Sequence, residues 1–407
     1  MSEVVVIIGA GHAGGTAAAT LRQEGFEGRI VLLGDEPYPP YERPPLSKAV
    51  LSGAMPLEKT FLRKPTFYQE KAIELRTGAG VEAIDRAART VRLFSGESLA
   101  YDKLILATGS RLRRLKVPGA DLLGVYYLRG IDDSLAIKDQ LKQGANIVII
   151  GGGYIGLEVA ASAAKAGAKV TLIEAMDRVM ARVTSETVSR FFQDEHRRHG
   201  VELKLNTGVT ALEGEGKVER VVAGDGSVLP ADMVVVGIGI LAADELAQAA
   251  GLQCDNGIVV DEFTRTSDPS IWAIGDVTNH PNSLLGGRFR LESVQNAISQ
   301  GQTATKAILG RATAYAEVPW FWSDQYDLKL QTAGIRQPSD REVVRGDPAN
   351  RKFSVCYLRD GALAAIDTIA NLKDFMPAKK LIAEKRPIDP ERLANPDIPL
   401  AEAGRTG

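Results

Sequence analysis

One stretch of the chain, residues 147–174, limits what the protein can fold into more than any other. It reads IVIIGGGYIGLEVAASAAKAGAKVTLIE, which predicts a buried strand over residues 147–150, a helix over residues 154–166 and a second strand that ends on Glu174. The turn between the first strand and the helix has the glycine spacing of a dinucleotide site, with Gly151, Gly153 and Gly156. The stretch therefore predicts an α/β fold with a nucleotide at this turn.

Each glycine of the turn has a separate role in such a site. One makes the tight turn, one lets the backbone reach a pyrophosphate, and one lets helix and strand pack closely. The helix N-terminus then presents free N–H groups and a partial positive charge to the phosphates. Glu174 is placed to accept hydrogen bonds from both ribose hydroxyls, and it would repel a phosphate on the 2′ oxygen. We therefore expect Glu174 to select NADH over NADPH.

An earlier copy of the same pattern begins at Val4. VVVII leads into a glycine turn, a helix and another strand, and the turn contains Gly9, Gly11 and Gly14. Asp35 and Glu36 follow that strand, and we favour Asp35 as the partner of a second adenine ribose because it comes first. Either turn alone could bind nothing, or could bind an S-adenosyl or nucleotide-sugar ligand. Together they predict two dinucleotides, with electrons moving from one to the other.

The composition agrees with an α/β protein of two or three domains. The chain has 407 residues, of which 44% are hydrophobic and 25% are charged. Its net charge of −2 gives no general attraction to nucleic acid or to an anionic membrane, so we expect neither as a partner. We expect the protein to be a monomer or a weak homodimer.

Cysteine usage and the N-terminal residues bear on the compartment. Cys254 and Cys356 lie far apart and form neither a CxxC pair nor a disulfide framework, which fits a reducing cytoplasm. The first strand begins at Val4, which leaves no room for a signal peptide. No apolar run approaches the roughly 20 residues that span a bilayer. We therefore expect a cytoplasmic protein.

Two short motifs mark the domain organisation. ATG at residues 107–109 and GIG at residues 237–239 enclose the second glycine turn, so its domain is an insertion. Later the chain changes to PWFWSDQY and alternating strands with a hairpin signal at Asp360-Gly361. We expect a discontinuous first Rossmann-like domain, an inserted second one and a small C-terminal α+β domain, over residues 1–110 with 237–312, 111–236, and 313–407.

The segment PYPPYERPPLSKAVLSG, residues 37–53, follows the second strand of the first domain. Its adjacent prolines, Pro44 and Pro45, can open a helix at the first turn. Ser47 and Lys48 would then lie in that turn and point toward whatever the first glycine turn binds. The alternative for Lys48 is an ordinary solvated lysine.

Two later motifs belong to the first domain. TSDPSIWAIGD contains a short apolar strand that closes on Asp276, and a carboxylate at the carboxyl end of a parallel strand can bind a ligand's hydroxyls. The alternative for Asp276 is an aspartate that only caps a helix or stabilises a turn. Residues 290–310 have the apolar spacing of a helix, with Glu292 and Ser293 near its start. The N-terminus of that helix could stabilise negative charge on a bound ring.

Taken together, these motifs carry a family resemblance. With both glycine turns, ATG, GIG and TSDP…AIGD, the chain resembles the two-dinucleotide flavoprotein reductases. YERPPLSK, LESVQNA and PWFWSDQY make it similar to the ferredoxin reductases that serve bacterial cytochrome P450 and ring-hydroxylating oxygenase systems. The resemblance covers essentially the whole chain. It implies FAD in the first site, NADH in the second, and an acidic, transiently bound [2Fe–2S] ferredoxin as the partner.

The resemblance also implies a set of site residues. Around FAD it places Gly9, Gly11, Ala13, Gly14, Asp35, Arg43, Lys48, Val81, Arg129, Asp276, Val294 and Trp320. On the nicotinamide nucleotide it places Gly151, Gly153, Ile155, Gly156, Glu158, Glu174, Gly239 and Glu292. Lys48 and Glu158 would form an ion pair under the flavin, where the nicotinamide lands. Trp320 would stack near the flavin and the docking surface, unless it only fills the core of the last domain.

The mechanism that the resemblance implies is hydride transfer without a proton-shuttling residue. The nicotinamide of NADH would stack on the isoalloxazine ring and pass a hydride to it, while the protein supplies position and electrostatics. Lys48 would stabilise the developing negative charge, and Glu158 would orient Lys48 and the carboxamide. Single electrons would then leave for the ferredoxin.

The residues exclude several related chemistries. Flavin disulfide reductases need two cysteines beside the flavin and a histidine from the last domain, whereas PPLSK has no cysteine and the four histidines are His12, His196, His199 and His280. The peroxide-reducing and water-forming NADH oxidases need one reactive cysteine in that same region. We expect no metal site. Two rivals stay open: an NADH oxidase or diaphorase that uses oxygen or quinones, and a redox sensor resembling apoptosis-inducing factor.

Docking of an acidic ferredoxin would need basic side chains near the flavin edge. The sequence candidates are Arg63, Arg288, Arg290, Lys329 and Arg336. Basic residues scattered over a neutral protein are also typical of an ordinary solvated surface. Charge steering of this kind must weaken with salt.

Overall fold

The structure, a computed structural model, describes residues 2–404. Met1 and residues 405–407, which the expected domain bounds include, lie outside the described residues. By contact the chain divides into two compact units. The first unit contains the residues up to Glu42, Leu57–Arg111 and Ile240–Pro319, and the second contains Arg43–Pro56, Leu112–Gly239 and the residues from Trp320 on. Within residues 2–404, no helix is both long and apolar enough to cross a membrane.

The first unit is built on a five-stranded parallel sheet. In spatial order its strands are Ile271–Ala273, Lys103–Leu106, Val4–Ile8, Arg29–Leu33 and Ile73–Arg76. The central strand reads VVVII, and β-branched residues favour the extended backbone of a sheet that is covered on both faces. Val6 and Ile8 pack into one core cluster, and Val5 and Ile7 pack into another. This strand therefore delivers the chain to the first glycine turn from a fully buried position.

The remaining elements of the first unit surround that sheet. Its helices are His12–Gln23, Pro65–Glu70, Glu245–Ala249 and Val294–Ile308, with 3₁₀ turns at Leu57–Thr60 and Gly275–Val277. Its smaller sheets contain Val81–Asp85, Thr90–Leu93 and Ser98–Ala100, and Ile258–Val259, Thr278–Pro281 and Arg288–Phe289. The short strands Ser110–Leu112 and Ile240–Ala242 lie where the chain passes from one unit to the other.

The second unit repeats the parallel sheet. In spatial order its five strands are Glu202–Lys204, Lys169–Ile173, Asn146–Ile150, Met233–Val236 and Val125–Tyr127. The helices Ile131–Gln140, Tyr154–Lys165 and Glu186–Arg198 belong to this half, together with an antiparallel sheet of Val209–Glu213, Arg220–Ala223 and Val228–Pro230. The central strand, Asn146–Ile150, leads into the second glycine turn as Val4–Ile8 leads into the first.

A five-stranded antiparallel sheet completes the second unit. Its spatial order is Trp320–Gln325, Leu328–Gly334, Ala362–Ile369, Lys352–Arg359 and Arg341–Asp347. The helices Leu372–Glu384 and Pro390–Ala394 follow, with 3₁₀ turns at Pro348–Asn350 and Leu400–Glu402. The strand Trp320–Gln325 buries Ser323 and Gln325, which alternate with less buried neighbours as the period of a strand requires.

The predicted fold class is confirmed: two Rossmann-like halves are followed by an α+β region. One local expectation differs. The prolines open only a single 3₁₀ turn, Pro44–Ser47, and Lys48 follows it with φ −128° and ψ −100°, outside the helical region. Contact also assigns this segment to the second unit. Lys48 is therefore presented from the end of a tight turn.

Candidate functional site

The first glycine turn leaves open space where a ligand could approach the backbone. A Cβ on Gly9, whose φ is +107°, would lie 2.2 Å from the Ala107 carbonyl oxygen, and one on Gly14 would lie 1.9 Å from the Gly9 oxygen. A Cβ on Gly11 would meet nothing within 4 Å. Gly11 is also the N-cap of the helix His12–Gln23, and no side chain caps it. Two glycines are therefore required by close packing, and the middle one borders space.

The second glycine turn repeats this geometry. A Cβ on Gly151, at φ +108°, would lie 2.3 Å from the Gly237 oxygen, and one on Gly156 would lie 2.1 Å from the Gly151 oxygen. A Cβ on Gly153 would meet nothing within 4 Å, and no side chain caps the helix that begins there. An open cradle at an uncapped helix N-terminus is what a pyrophosphate needs. Both turns therefore fit the pyrophosphate of a dinucleotide.

Glu174 is fixed beside the second turn by two backbone hydrogen bonds. Its Oε2 accepts from the Gly152 N–H at 2.6 Å, and its Oε1 accepts from the Met176 N–H at 2.8 Å. The next basic residue along the chain, Arg178, donates to the Ala181 carbonyl at 2.9 Å and to the Ser189 hydroxyl at 2.6 Å. The turn therefore has a fixed carboxylate beside it, while the Arg178 guanidinium is engaged by protein oxygens.

In the first unit, some of the expected FAD residues lie close together, beside the helix that follows the first glycine turn. A Cβ on Gly275 would lie 3.0 Å from the Ala13 Cβ, and the Gly275 N–H donates to Gln300 Oε1 at 2.8 Å. Asp276 follows in the same 3₁₀ turn and accepts from the Ser110 hydroxyl at 3.0 Å. The structure therefore brings Ala13, Asp276 and the helix Val294–Ile308 together.

The other expected residues of this unit are more scattered. Asp35 lies near Gly80, since a Cβ there would be 4.0 Å from the Asp35 Cβ. Val81 is buried at the start of the strand Val81–Asp85. Glu292 pairs with Arg290 at 2.7 Å, just before the N-cap of the helix that starts at Val294. Asp276, in the 3₁₀ turn, and Val294, at the start of the helix, belong to elements that pack together. Val81 lies in a small antiparallel sheet, separate from the parallel sheet of this unit.

Lys48 and Glu158 form an ion pair in the second unit. Lys48 Nζ lies 2.8 Å from Glu158 Oε2, and the exposed fractions of the two side chains are 17% and 1%. Lys48 Nζ also donates to the Pro44 carbonyl at 3.1 Å. The Glu158 carboxylate accepts from the Ser47 hydroxyl at 2.5 Å through Oε2, and from the Ser323 hydroxyl at 2.6 Å through Oε1. Glu158 is therefore surrounded by donors, and Lys48 is the group that reaches outward.

The turn that carries Lys48 is tied to its surroundings through its backbone. The Ser134 hydroxyl donates to the Leu46 carbonyl at 2.6 Å, and the Ser162 hydroxyl donates to the Ser47 carbonyl at 2.9 Å. Arg43 donates to the Arg129 carbonyl at 2.7 Å. These bonds connect the turn to two helices of the second unit, so Lys48 is presented by an immobilised backbone.

Trp320 and the other expected residues of the second unit have distinct surroundings. The Trp320 ring is only partly buried; its centroid lies 5.6 Å from Trp322 and 5.7 Å from Phe375, and Lys379 lies 5.3 Å above it. Ile155 is exposed on the helix that follows the second turn. Gly239, at φ +102°, borders open space.

The five basic docking candidates have intrachain contacts of their own. Arg290 pairs with Glu292, Lys329 pairs with Asp324 at 2.9 Å, and Arg336 donates to the Thr184 carbonyl at 3.2 Å. Arg288 donates to the Val260 carbonyl at 2.7 Å, and the Arg63 guanidinium lies 5.7 Å above the Phe67 ring. Their role in docking stays a prediction.

Neither cysteine has the environment of a reactive thiol. Burial raises the pKa of Cys254 to about 11, and burial raises the pKa of Cys356 further still. A thiol with a raised pKa carries little thiolate at neutral pH and is a poor nucleophile. Within residues 2–404, no group of three or more His, Cys, Asp or Glu side chains could hold a metal ion. The chemistry of this site must therefore come from groups other than these two thiols.

The contacts of Ser47 and Ser323 with Glu158 were not predicted from the sequence. Both donate to Glu158 in the structure. A signal for Ser323 existed in PWFWSDQY, where a small polar residue follows three aromatic residues and stands at an inward position of the strand. Its target could not be inferred, because Glu158 lies in a distant part of the sequence.

Comparisons with known proteins identify the family of the chain. The family description "Pyridine nucleotide-disulphide oxidoreductase" matches residues 3–301, and "Reductase C-terminal" matches residues 320–404. The chain is 45% identical over 399 residues to a ferredoxin–NAD(P)+ reductase of Sphingomonas sp, covering 97% of this chain and 96% of the relative. It is 45% identical over 397 residues to rhodocoxin reductase of Rhodococcus erythropolis, covering 97% and 93%.

A solved structure of a ferredoxin reductase has the same fold as this chain. The covalent complex of putidaredoxin reductase with putidaredoxin contains a chain that matches with a TM-score of 0.96 at 42% identity, over 98% of each chain. The resemblance inferred from the motifs is thus confirmed. The chain belongs to the pyridine nucleotide-disulphide oxidoreductase family, among its FAD- and NAD(H)-dependent ferredoxin reductases.

Proposed function

We propose that this chain takes a hydride from NADH onto FAD and passes single electrons to a [2Fe–2S] ferredoxin that feeds a cytochrome P450 or a ring-hydroxylating oxygenase. The observation that carries the proposal is the Lys48–Glu158 ion pair, held in the same unit as the second glycine turn. The two cysteines have raised thiol pKa values, which favours electron exit without a protein disulfide. The ferredoxin-reductase relatives support the same partner class.

FAD, when bound, supplies a ring that accepts a hydride and releases electrons one at a time. The contribution of the chain is a positive charge in a fixed place. The Lys48 ammonium is held by Glu158 and by the Pro44 carbonyl, so little reorganisation is needed when negative charge develops nearby. Glu158 orients Lys48, and its own carboxylate is kept in place by Ser47 and Ser323. We assign Lys48 and Glu158 to the hydride-transfer step, with no proton-shuttling residue.

We propose NADH as the natural donor because of Glu174. Its carboxylate is fixed by the Gly152 and Met176 N–H groups, and each oxygen keeps a lone pair for a ribose hydroxyl. A 2′-phosphate at the same place would meet a fixed negative charge. The Arg178 guanidinium, engaged by Ala181 and Ser189, would have to break these bonds to compensate.

The remaining site residues are proposed as binding groups. In the first unit we assign to FAD the glycines of the first turn with Ala13, Asp35, Val81, Asp276 and Val294, and we assign Glu292 to the nicotinamide nucleotide. In the second unit we assign Arg43, Arg129 and Trp320 to FAD, and the second turn with Ile155 and Gly239 to the nicotinamide nucleotide. The grouping of Ala13 with Gly275 and Asp276 in the first unit and the Arg43–Arg129 contact support this division.

We propose that the ferredoxin is acidic and binds transiently, and that it meets basic side chains of the chain. The chain itself is close to neutral, with a net charge of −2, so attraction must come from a local patch. Arg63, Arg288, Arg290, Lys329 and Arg336 are the candidates.

The test of the proposal is NADH-driven electron delivery by the purified yellow protein. Cytochrome c reduction is measured with NADH and with NADPH, each with and without a panel of [2Fe–2S] ferredoxins from oxygenase systems. We expect a ferredoxin to accelerate the reaction at least about tenfold, and NADH to be preferred. Rapid NADH consumption in air that no ferredoxin accelerates would instead support an oxidase or diaphorase.

A further inference from the structure

Glu158 is held from a second side by the C-terminal sheet. The Ser323 hydroxyl, in the strand Trp320–Gln325, donates to Glu158 Oε1 at 2.6 Å. Ser323 is fully buried, and so is Glu158. Lys48 and Ser47 bind the other oxygen, Oε2. The two carboxylate oxygens are therefore held by different parts of the chain, and only Ser323 holds Oε1 among the hydrogen bonds seen in residues 2–404.

The direction of the Ser323 hydrogen bond is set by its neighbours. Gln325 Nε2 lies 3.3 Å from Ser323 Oγ, and an amide nitrogen can only donate. The Ser323 hydroxyl accepts this bond, and because the Glu158 carboxylate can only accept, the Ser323 proton is donated to Glu158. Gln325 Oε1 lies 2.9 Å from His196 Nε2, and Tyr326 Oη lies 2.8 Å from His196 Nδ1. A neutral His196 with its proton on Nε2 donates to Gln325 Oε1, so the amide nitrogen of Gln325 faces Ser323. Tyr326, His196, Gln325 and Ser323 thus form a row of hydrogen bonds in which each group donates to the next and the last donates to Glu158.

Because this row of side chains is buried, the loss of one of its hydrogen bonds cannot be replaced by water. His196, Gln325, Ser323 and Glu158 are all buried, and a buried carboxylate oxygen without a donor is costly. Hydrogen bonds in series also strengthen one another where water is excluded. Lys48, by contrast, has a long flexible side chain that is 17% exposed. Its position therefore depends on how firmly Glu158 is held.

We propose that Ser323, with its proton directed by Gln325, is a positioning residue through which the C-terminal sheet holds Glu158 and so keeps Lys48 in place for hydride transfer. This inference rests on the proposed function, in which Lys48 acts at the hydride-transfer step. It also gives the C-terminal sheet a part in the reaction with NADH. Ser323 acts through Glu158, and we assign it no contact with cofactor or substrate.

The first test measures the reactivity of the Lys48 amine, which reports on its ion pair with Glu158 in the absence of turnover. The purified holoprotein, free of NADH, is treated with acetic anhydride, and the rate of Lys48 acetylation is followed by mass spectrometry of its peptide. A paired ammonium is a poor nucleophile, so Ser323→Ala should raise this rate about threefold or more, and Glu158→Gln should raise it at least as much. Ser354→Ala is the matched control. Ser354 is also a buried serine of the C-terminal sheet and donates to a carboxylate, that of Asp374, at 2.9 Å.

The second test separates positioning from binding. In single-turnover mixing with NADH, Ser323→Ala should lower the saturating rate of flavin reduction about threefold to tenfold and change the NADH Kd less than about twofold. Gln325→Met, which frees the Ser323 hydroxyl to turn away, should shift both readouts in the same direction. This variant keeps the idea testable if Ser323→Ala folds poorly.

Acetylation of Lys48 at the wild-type rate in both Ser323→Ala and Gln325→Met would overturn the proposal. An equal rise in the Ser354→Ala control would also overturn it, because the effect would then not be specific to Glu158. Failure of the proposed function looks different. If Lys48→Ala leaves flavin reduction unchanged, the role of Lys48 in hydride transfer falls, while the acetylation rates still decide whether Ser323 holds the pair.

Discussion

Lys48 and Glu158 are joined by a 2.8 Å ion pair in which the lysine is the only partner that reaches solvent. The lysine follows a 3₁₀ turn, Pro44–Ser47, and the glutamate lies in the helix that begins at the second glycine turn. The pair therefore connects the part of the chain that carries the fixed positive charge with the part that we assign to NADH.

Alanine substitutions at Gly153 and Gly156, two glycines of the second turn, should have different effects on stability and on NADH binding. A Cβ on Gly153 meets no protein atom within 4 Å, whereas one on Gly156 would lie 2.1 Å from the Gly151 oxygen. Gly153→Ala should therefore change the free energy of unfolding by less than about 1 kcal/mol while weakening NADH binding about tenfold, because the methyl group fills the cradle. Gly156→Ala should destabilise the protein by about 1–3 kcal/mol. Denaturant unfolding and NADH titration check both, and tight NADH binding by Gly153→Ala would contradict the assignment.

Glu174 is expected to set the preference for NADH. Glu174→Gln keeps an acceptor for the Gly152 N–H and removes the negative charge. The ratio of kcat/KM for NADPH to that for NADH should rise at least about tenfold, roughly 1.4 kcal/mol of discrimination. Glu202→Gln, an exposed glutamate in the adjacent strand, is the matched control and should leave the ratio unchanged. An unaltered ratio in Glu174→Gln would show that the acid at the strand end has been misassigned.

Reduction of an acidic ferredoxin should depend on salt. Exposed charges are screened beyond roughly 8–10 Å at physiological ionic strength, so steering by basic side chains must weaken as salt is added. Between dilute buffer and about 0.5 M salt, kcat/KM for ferredoxin should fall about tenfold or more. Flavin reduction by NADH in the same buffers serves as the control for general salt effects. A ferredoxin reaction that is insensitive to salt would argue against charge-steered docking.

The burial of His196 should make the free energy of unfolding depend on pH. Desolvation by burial lowers the pKa of His196 to about 4, from an ordinary value of 6.5. Between these two values the unfolded chain binds a proton that the folded chain does not, so the free energy of unfolding falls as the pH falls from about 7 toward 4. The loss from this one group between pH 7 and pH 5 should be on the order of 2 kcal/mol.

The comparison is with His196→Asn, which cannot take up the proton. Its urea midpoint is expected to depend less steeply on pH than that of the wild type over this range, whatever its absolute stability. His280, whose pKa burial also lowers to about 4, should leave a residual slope in both proteins. Parallel curves for wild type and variant would mean that His196 does not stay neutral in the fold.

Much of the fold was predictable because glycine and buried β-branched residues fix local boundaries. The predicted strand at residues 147–150 and helix at 154–166 correspond to Asn146–Ile150 and Tyr154–Lys165. The helix expected after the prolines is only a 3₁₀ turn. Pro44 and Pro45 fix φ for the start of a helix, but nothing in the segment compels a second turn, and tertiary bonds to Leu46 and Ser47 stabilise the short form.

The site was predictable to the extent that its members lie next to motifs. Lys48 and Glu158 could be paired through the family resemblance, and the structure shows the contact. Ser323, Gln325 and His196 could not be connected to them from sequence, because their contacts depend on how a sheet and two helices of the second unit pack. The assignment of residues 43–56 to the same unit is also a matter of tertiary contact.

The measurement that tests the central claim most directly is the rate of flavin reduction by NADH in single-turnover mixing of wild type and Lys48→Ala. Lys59→Ala, at an exposed lysine in the next 3₁₀ turn along the sequence, is the matched control. If the Lys48 charge, held by Glu158, stabilises the transition state, Lys48→Ala should slow the saturating rate more than about tenfold, roughly 1.4 kcal/mol, while Lys59→Ala reacts as the wild type does. An unchanged rate in Lys48→Ala would contradict the account.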